Sequence, residues 1–121
     1  MNRPVHFEMV GENPERMAKF YTDVFGWKTK KWEGPTEYWL VTTGDSEPGI
    51  NGGFGKRTSP DEGTTNTIEV PDAKAAVAAV EKYGGTVVNA LHAIPGVGWQ
   101  AYCKDTEGNL FGIHQADTNA K

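Results

Sequence analysis

Cysteine is almost missing from this 121-residue chain, which carries a single copy, Cys103. One cysteine excludes an intrachain disulfide and fits a protein of the reducing cytoplasm. Long basic runs are missing too: the densest stretch is KTKKW, residues 28–32, in a chain of formal net charge −4. That charge balance argues against a nucleic-acid surface. No apolar run approaches the roughly 20 residues a helix needs to cross a bilayer, so no membrane span is expected. Cys103 itself has no activating neighbours in sequence and reads as a small strand residue rather than a nucleophile.

What remains is a globular composition, 37% hydrophobic and 11% aromatic, with 15 glycines that call for many tight turns. The length suits one domain spanning residues 1–121. Near the start, VHFEMV (5–10) alternates like a β-strand and puts His6 and Glu8 on one face, Phe7 and Met9 on the other. The stretch NPERMAKFYTDVFG follows, with Asn13 as N-cap, Pro14 in the first turn, and an apolar stripe at Met17, Phe20, Tyr21 and Val24 ending at Gly26. Downstream, TTNTIEV (64–70) leads into PDAKAAVAAVEKYGG, with Asp72 as N-cap and a stripe at Ala73, Ala76, Val77 and Val80.

The two strand–helix units are one device used twice. Asn13 and Asp72 stand 59 positions apart, and the same offset carries His6 onto Thr65 and Gly53 onto Gly112. Three further strand-like segments complete each half: WKTKKW, EYWLVTT and INGGFG, then TVVNAL, GWQAYCK and NLFGIHQ. The predicted fold is α+β: two tandem βαβββ modules, about 1–57 and 64–118, with linker 58–63, forming curled mixed sheets around a cleft.

The runs HFEMVGENPERMAKFYTDVFGW, GINGGF and IPGVGWQAYCKDTEGNLFGIHQ, spread over nearly the whole chain, resemble the vicinal oxygen chelate superfamily. That superfamily includes glyoxalase I, bleomycin-resistance proteins and extradiol dioxygenases, and the resemblance is to its lactoylglutathione-lyase-like group. It implies a cleft-binding fold that hosts many chemistries. In metal-dependent relatives, one divalent ion takes ligands from the first and fourth strands of each half. The matching positions here are His6, Gly53, Thr65 and Gly112, of which only His6 ligates strongly. No cofactor is therefore expected. Strand parity offers one substitute set for a divalent metal, His6, Glu8 and His114.

The two glycines either enlarge a ligand cavity or merely ease sheet curvature. His6 and Glu8 are the candidate catalytic or proton-exchanging pair, with a satisfied structural pair as the plain alternative. Trp39, Asn51, Gly53, Thr65, Thr67, Trp99, Gly112 and His114 are the candidate ligand-binding residues. Trp27 reads as core, and His92 as an exposed residue near a loop spanning 92–98. Three functions follow: a small-organic-molecule-binding protein with a metal-free cleft, a glyoxalase- or lyase-type enzyme with a rearranged metal site or metal-free acid–base chemistry, or a regulatory partner. The resemblance also implies a homodimer.

Overall fold

The computed structural model describes residues 1–60 and 62–121. The chain divides into two compact units, His6–Thr64 and Met1–Val5 together with Thr65–Lys121. Both halves of the sequence follow the β-α-β-β-β order that the duplication predicts, so the fold class is α+β with mixed sheets.

In the His6–Thr64 unit, most of β1 (Arg3–Gly11) is followed by α1 (Pro14–Phe25), β2 (Lys28–Lys31), β3 (Tyr38–Thr42) and β4 (Asn51–Lys56). The strand order is β2-β3-β4-β1, with β1 parallel to β4 and the other pairs antiparallel. Helix α1 starts where the Asn13 side chain accepts the Arg16 N–H at 3.0 Å. It stops where Gly26 turns left-handed (φ 74°) and donates its N–H to the Thr22 carbonyl, a conformation that costs a glycine least. The helix covers one sheet face, burying Ala18 with Val41 and Phe54 among Phe7, Met9, Met17, Tyr21, Trp27 and Trp39. Tyr21 stacks on Trp27 at 4.9 Å between ring centroids.

The buried arc of α1 differs from the predicted stripe. Met17, Ala18 and Tyr21 face the core, whereas Phe20 and Val24 are 57% and 54% exposed. At 100° per residue, Pro14, Ala18 and Tyr21 share one narrow arc that Phe20 and Val24 flank on one side. The small, buried Ala18 lets the helix sit close on the sheet.

In the other unit, β5 (Thr65–Glu69), α2 (Ala73–Lys82), β6 (Thr86–Ile94), β7 (Gly98–Lys104) and β8 (Leu110–Ala116) give the order β5-β8-β7-β6. β5 runs parallel to β8, and the remaining pairs are antiparallel. Asp72 caps α2 by accepting the Ala75 N–H at 3.0 Å. The expected stripe of Ala73, Ala76, Val77 and Val80 packs on Val70, Cys103 and Ile113. Cys103 is fully buried there, and burial pushes its thiol pKa up, away from reactivity at neutral pH.

His92 is exposed, as expected, and lies in β6 near its end at Ile94. A tight turn replaces the predicted loop: Val97 donates to the Ile94 carbonyl at 2.9 Å, and Gly96 has φ 74°. In the linker, the Glu62 carboxylate accepts from the Thr58 N–H, the Thr58 hydroxyl and the Ser59 N–H.

Candidate functional site

Each unit has one sheet face under its helix and one opposite, and side-chain alternation decides which residues reach the second. In the His6–Thr64 unit, cross-strand register sets Lys30 beside Leu40, Leu40 beside Gly53, and Gly53 beside Glu8. These four positions form one row on the face opposite α1. His6 pairs with Asn51 one step along, on the same face.

Tyr38 organises this face. It pairs with Gly55, and its ring reaches diagonally across β4, so that a Cβ at Gly53 would fall on the Tyr38 hydroxyl. That hydroxyl donates to Glu8 Oε2 at 3.1 Å and lies 3.1 Å from His6 Nε2. A phenol has one hydrogen to give. With that hydrogen on the carboxylate, the phenol oxygen accepts from the His6 Nε2–H. The result is a chain of carboxylate, phenol and imidazole, all three partly buried.

Sequence reasoning singled out His6, Glu8 and Gly53 but missed Tyr38. The signal was present in EYWLVTT: Val41 and Trp39 are the apolar alternates, which puts Tyr38 on the other face. The adjacent tryptophan lies where that alternation sends it, beneath α1 against Ala18, Val41 and Phe54. Trp39 is therefore on the opposite side of β3 from the polar centre. Its Nε1 is buried without an acceptor among the described residues. Asn51 ties the β3–β4 connection, accepting the Thr43 N–H at 2.9 Å.

The second unit carries its own polar face. Thr65, Thr67 and Gln100 are buried at 5%, 5% and 6% exposure. A Cβ on Gly112 would stand 2.8 Å from Thr67 Oγ1 and 3.0 Å from Gln100 Nε2. The space vacated at Gly112 is thus lined by these two polar side chains, as that at Gly53 is filled by Tyr38. At both glycines the space a side chain would enter is bordered closely by neighbouring side chains.

His114 and Glu69 pair on this second face at 2.9 Å between Nδ1 and Oε1. The other carboxylate oxygen accepts the Ala116 N–H at 2.9 Å. Since an ionised carboxylate only accepts, the shared hydrogen sits on Nδ1. A Cβ at Gly98 would stand 2.7 Å from the His114 Nε2. Trp99 turns the other way, packing against the α2 core, with its Nε1 donating to Asp117 Oδ2 at 3.0 Å.

Of the substitute metal set, His6 and Glu8 belong to one unit and His114 to the other, where it holds Glu69. Among the described residues, no group of three or more His, Cys, Asp or Glu side chains is arranged to hold a metal ion. No helix is long and apolar enough to cross a membrane, among the same residues.

A family-wide sequence profile, that of the Glyoxalase/Bleomycin resistance protein/Dioxygenase superfamily, matches residues 3–113. A glyoxylase-like domain-containing protein from Didymella fabae is 32% identical over 112 residues, covering 88% of each chain. Among solved structures, a hypothetical protein from Bacillus halodurans C-125 aligns with a TM-score of 0.72 at 15% identity, over 99% of this chain and 98% of that one. A methylmalonyl-CoA epimerase from Mycobacterium tuberculosis aligns with a TM-score of 0.72 at 10% identity, over 94% of this chain and 87% of that one. At such identities the structural likeness speaks for the fold alone. The profile match and the Didymella fabae relative go further: this chain belongs to the glyoxalase/bleomycin resistance protein/dioxygenase superfamily.

Proposed function

We propose that this chain is a small-molecule-binding member of its superfamily, cytoplasmic and homodimeric, that recognises an organic ligand without a divalent metal. The single observation that supports it is the Tyr38 hydroxyl, placed over Gly53 and shared between Glu8 and His6. At the four positions where metal-dependent relatives supply ligands, the residues present do not fit a divalent ion. Gly53 has no side chain and its space holds a phenol; Gly112 has none either, and Thr67 and Gln100 line its space. A phenol, an imidazole and a carboxylate in hydrogen-bonded contact instead offer a ligand both donors and acceptors at a partly buried surface.

The test is a thermal-shift and calorimetric screen of wild-type protein, together with native mass spectrometry for a co-purified molecule. Glu8→Gln and Tyr38→Phe should weaken a genuine ligand while changing stability by about 1 kcal/mol or less. If either variant unfolds the protein yet leaves ligand affinity intact in the folded fraction, the trio is structural and the proposal falls.

The carboxylate–phenol–imidazole chain also favours a second reading, a metal-free enzyme that moves a proton. One protein of similar fold is named a methylmalonyl-CoA epimerase, so that thioester is a reasonable first probe. Incorporation of solvent deuterium into it, lost in Glu8→Gln, would turn the binding protein into an enzyme. No exchange with this or related acids would leave binding as the function.

A further inference from the structure

Beside the polar centre lies a groove of about 390 Å³, lined by Lys30, Lys31, Trp32, Glu33, Gly34 and Leu40. Its size falls within the range of small-molecule sites, about 300–1,000 Å³. Its floor is apolar and open to solvent: Leu40 is 43% exposed, a large aliphatic side chain that the α1 core does not cover. One wall is rigid. The Trp32 indole lies flat against Gly34, where any Cβ would overlap the ring, and it meets the Tyr38 ring edge-on at 6.2 Å. The Trp32 N–H also donates to the Tyr38 carbonyl at 2.8 Å, closing the β2–β3 hairpin behind the indole.

The charge of the groove runs against that of the whole chain. Two lysines and one glutamate line it, in a protein of net charge −4, and strand alternation turns the Lys30 side chain to this face and that of Lys31 to the Trp39 face. Lys30 is also the cationic end of the Lys30–Leu40–Gly53–Glu8 row. Three strand spacings separate the ends of that row, about 14 Å between backbones. Cation, aliphatic surface, phenol and carboxylate therefore succeed one another along one line.

We infer that the Lys30–Trp32–Leu40 groove binds the anionic group and planar apolar body of a small organic anion. This rests on the reading of this sheet face as ligand-binding and adds the chemical class to it. The indole and Leu40 take the flat apolar part, and the Lys30 ammonium takes the anion. The other end of the molecule is left pointing along the row toward Tyr38 and Glu8, where hydrogen-bond donors are recognised.

The test uses anilinonaphthalene sulfonate, an aromatic anion that fluoresces when bound, and its uncharged relative N-phenylnaphthylamine. Wild-type protein should bind the sulfonate saturably at one site, and the neutral amine about tenfold more weakly, the loss expected when a charge-assisted contact disappears. Lys30→Gln should weaken the sulfonate by a similar factor and leave the amine unchanged, whereas Lys31→Gln, on the other face of β2, should change neither by more than about twofold. Both lysines are exposed, so these variants keep the fold. Leu40→Ser should weaken both probes. Three results overturn the inference: no saturable binding, equal binding of the two probes, or binding lost on changing Phe20 and Val24 of α1 to serine but not on changing Lys30. If a co-purified ligand depends on Glu8 while Lys30→Gln binds the sulfonate as wild type does, the groove assignment fails and the proposed function survives.

Discussion

The hydroxyl of Tyr38 occupies the space in which a side chain at Gly53 would begin. The two residues are partners: the glycine admits the phenol, and the phenol stands on the polar face at the position the glycine leaves bare. Gly53→Ala should therefore displace Tyr38, breaking its bonds to Glu8 and His6 at an overpacking cost of about 1–3 kcal/mol. In the Tyr38→Ala background the same change should cost nothing, and should gain up to about 1 kcal/mol from a stiffer unfolded chain. A double-mutant cycle by urea denaturation measures the coupling. Additive effects of the two changes would show that the residues do not share the space.

Trp39 makes the opposite prediction. Its ring packs under α1 and its Nε1 is buried with no acceptor among the described residues. Trp39→Phe removes some apolar contact and also a costly unpaired N–H, so stability should shift by no more than about 1 kcal/mol. Ligand affinity should not move. A ligand weakened by Trp39→Phe, at unchanged stability, would place this tryptophan in the binding surface after all.

Acid should destabilise the protein through three carboxylates. Hydrogen bonds from the Trp99 indole and the Asn119 N–H hold Asp117 below its ordinary pKa of 3.8. The Asn109 backbone and side chain, with the Glu107 N–H, do the same for Asp105. Thr58 lowers Glu62 from its ordinary 4.5. A depressed folded pKa gives stability that is complete above the ordinary value and is lost as pH falls below it. Melting temperature should therefore hold steady down to about the ordinary carboxylate range near pH 4 and fall below it. Asp117→Asn should flatten part of that fall. A melting temperature unchanged in strong acid would contradict the assignment.

Much of the fold was legible because a duplication leaves marks at fixed spacing. Asn13 and Asp72 cap the two helices as expected, and the α2 stripe is the buried one. The α1 stripe was misread because apolar residues outnumber the arc that a short helix can bury, so Phe20 and Val24 are left outside. In the site, His6 and Glu8 came from strand parity, and the two bare glycine positions from the resemblance to metal-dependent relatives, with the 59-residue offset relating one to the other. Tyr38 did not. It meets Gly53 from 15 positions upstream, through a diagonal reach between paired strands that depends on register and rotamer, neither of which the sequence states. Gln100 beside Gly112 escaped for the same reason.

The proposed homodimer has its own check. Phe20, Val24 and Phe25 leave α1 with exposed apolar surface of the kind that association covers. Light scattering at micromolar concentration should return about twice the 13.2 kDa chain mass. A monomer at every accessible concentration would remove the dimer from the account.

The central claim is that a phenol-bridged pair, His6 and Glu8, forms the recognition centre without a divalent metal. Elemental analysis of protein purified without chelator tests it most directly. The prediction is well under one metal per chain, with a melting temperature and ligand affinity that a strong chelator leaves unchanged. One tightly held Zn²⁺, Ni²⁺, Mn²⁺ or Fe²⁺ per chain, lost on His6→Ala, would contradict it and make a metal-dependent glyoxalase-type enzyme the leading reading.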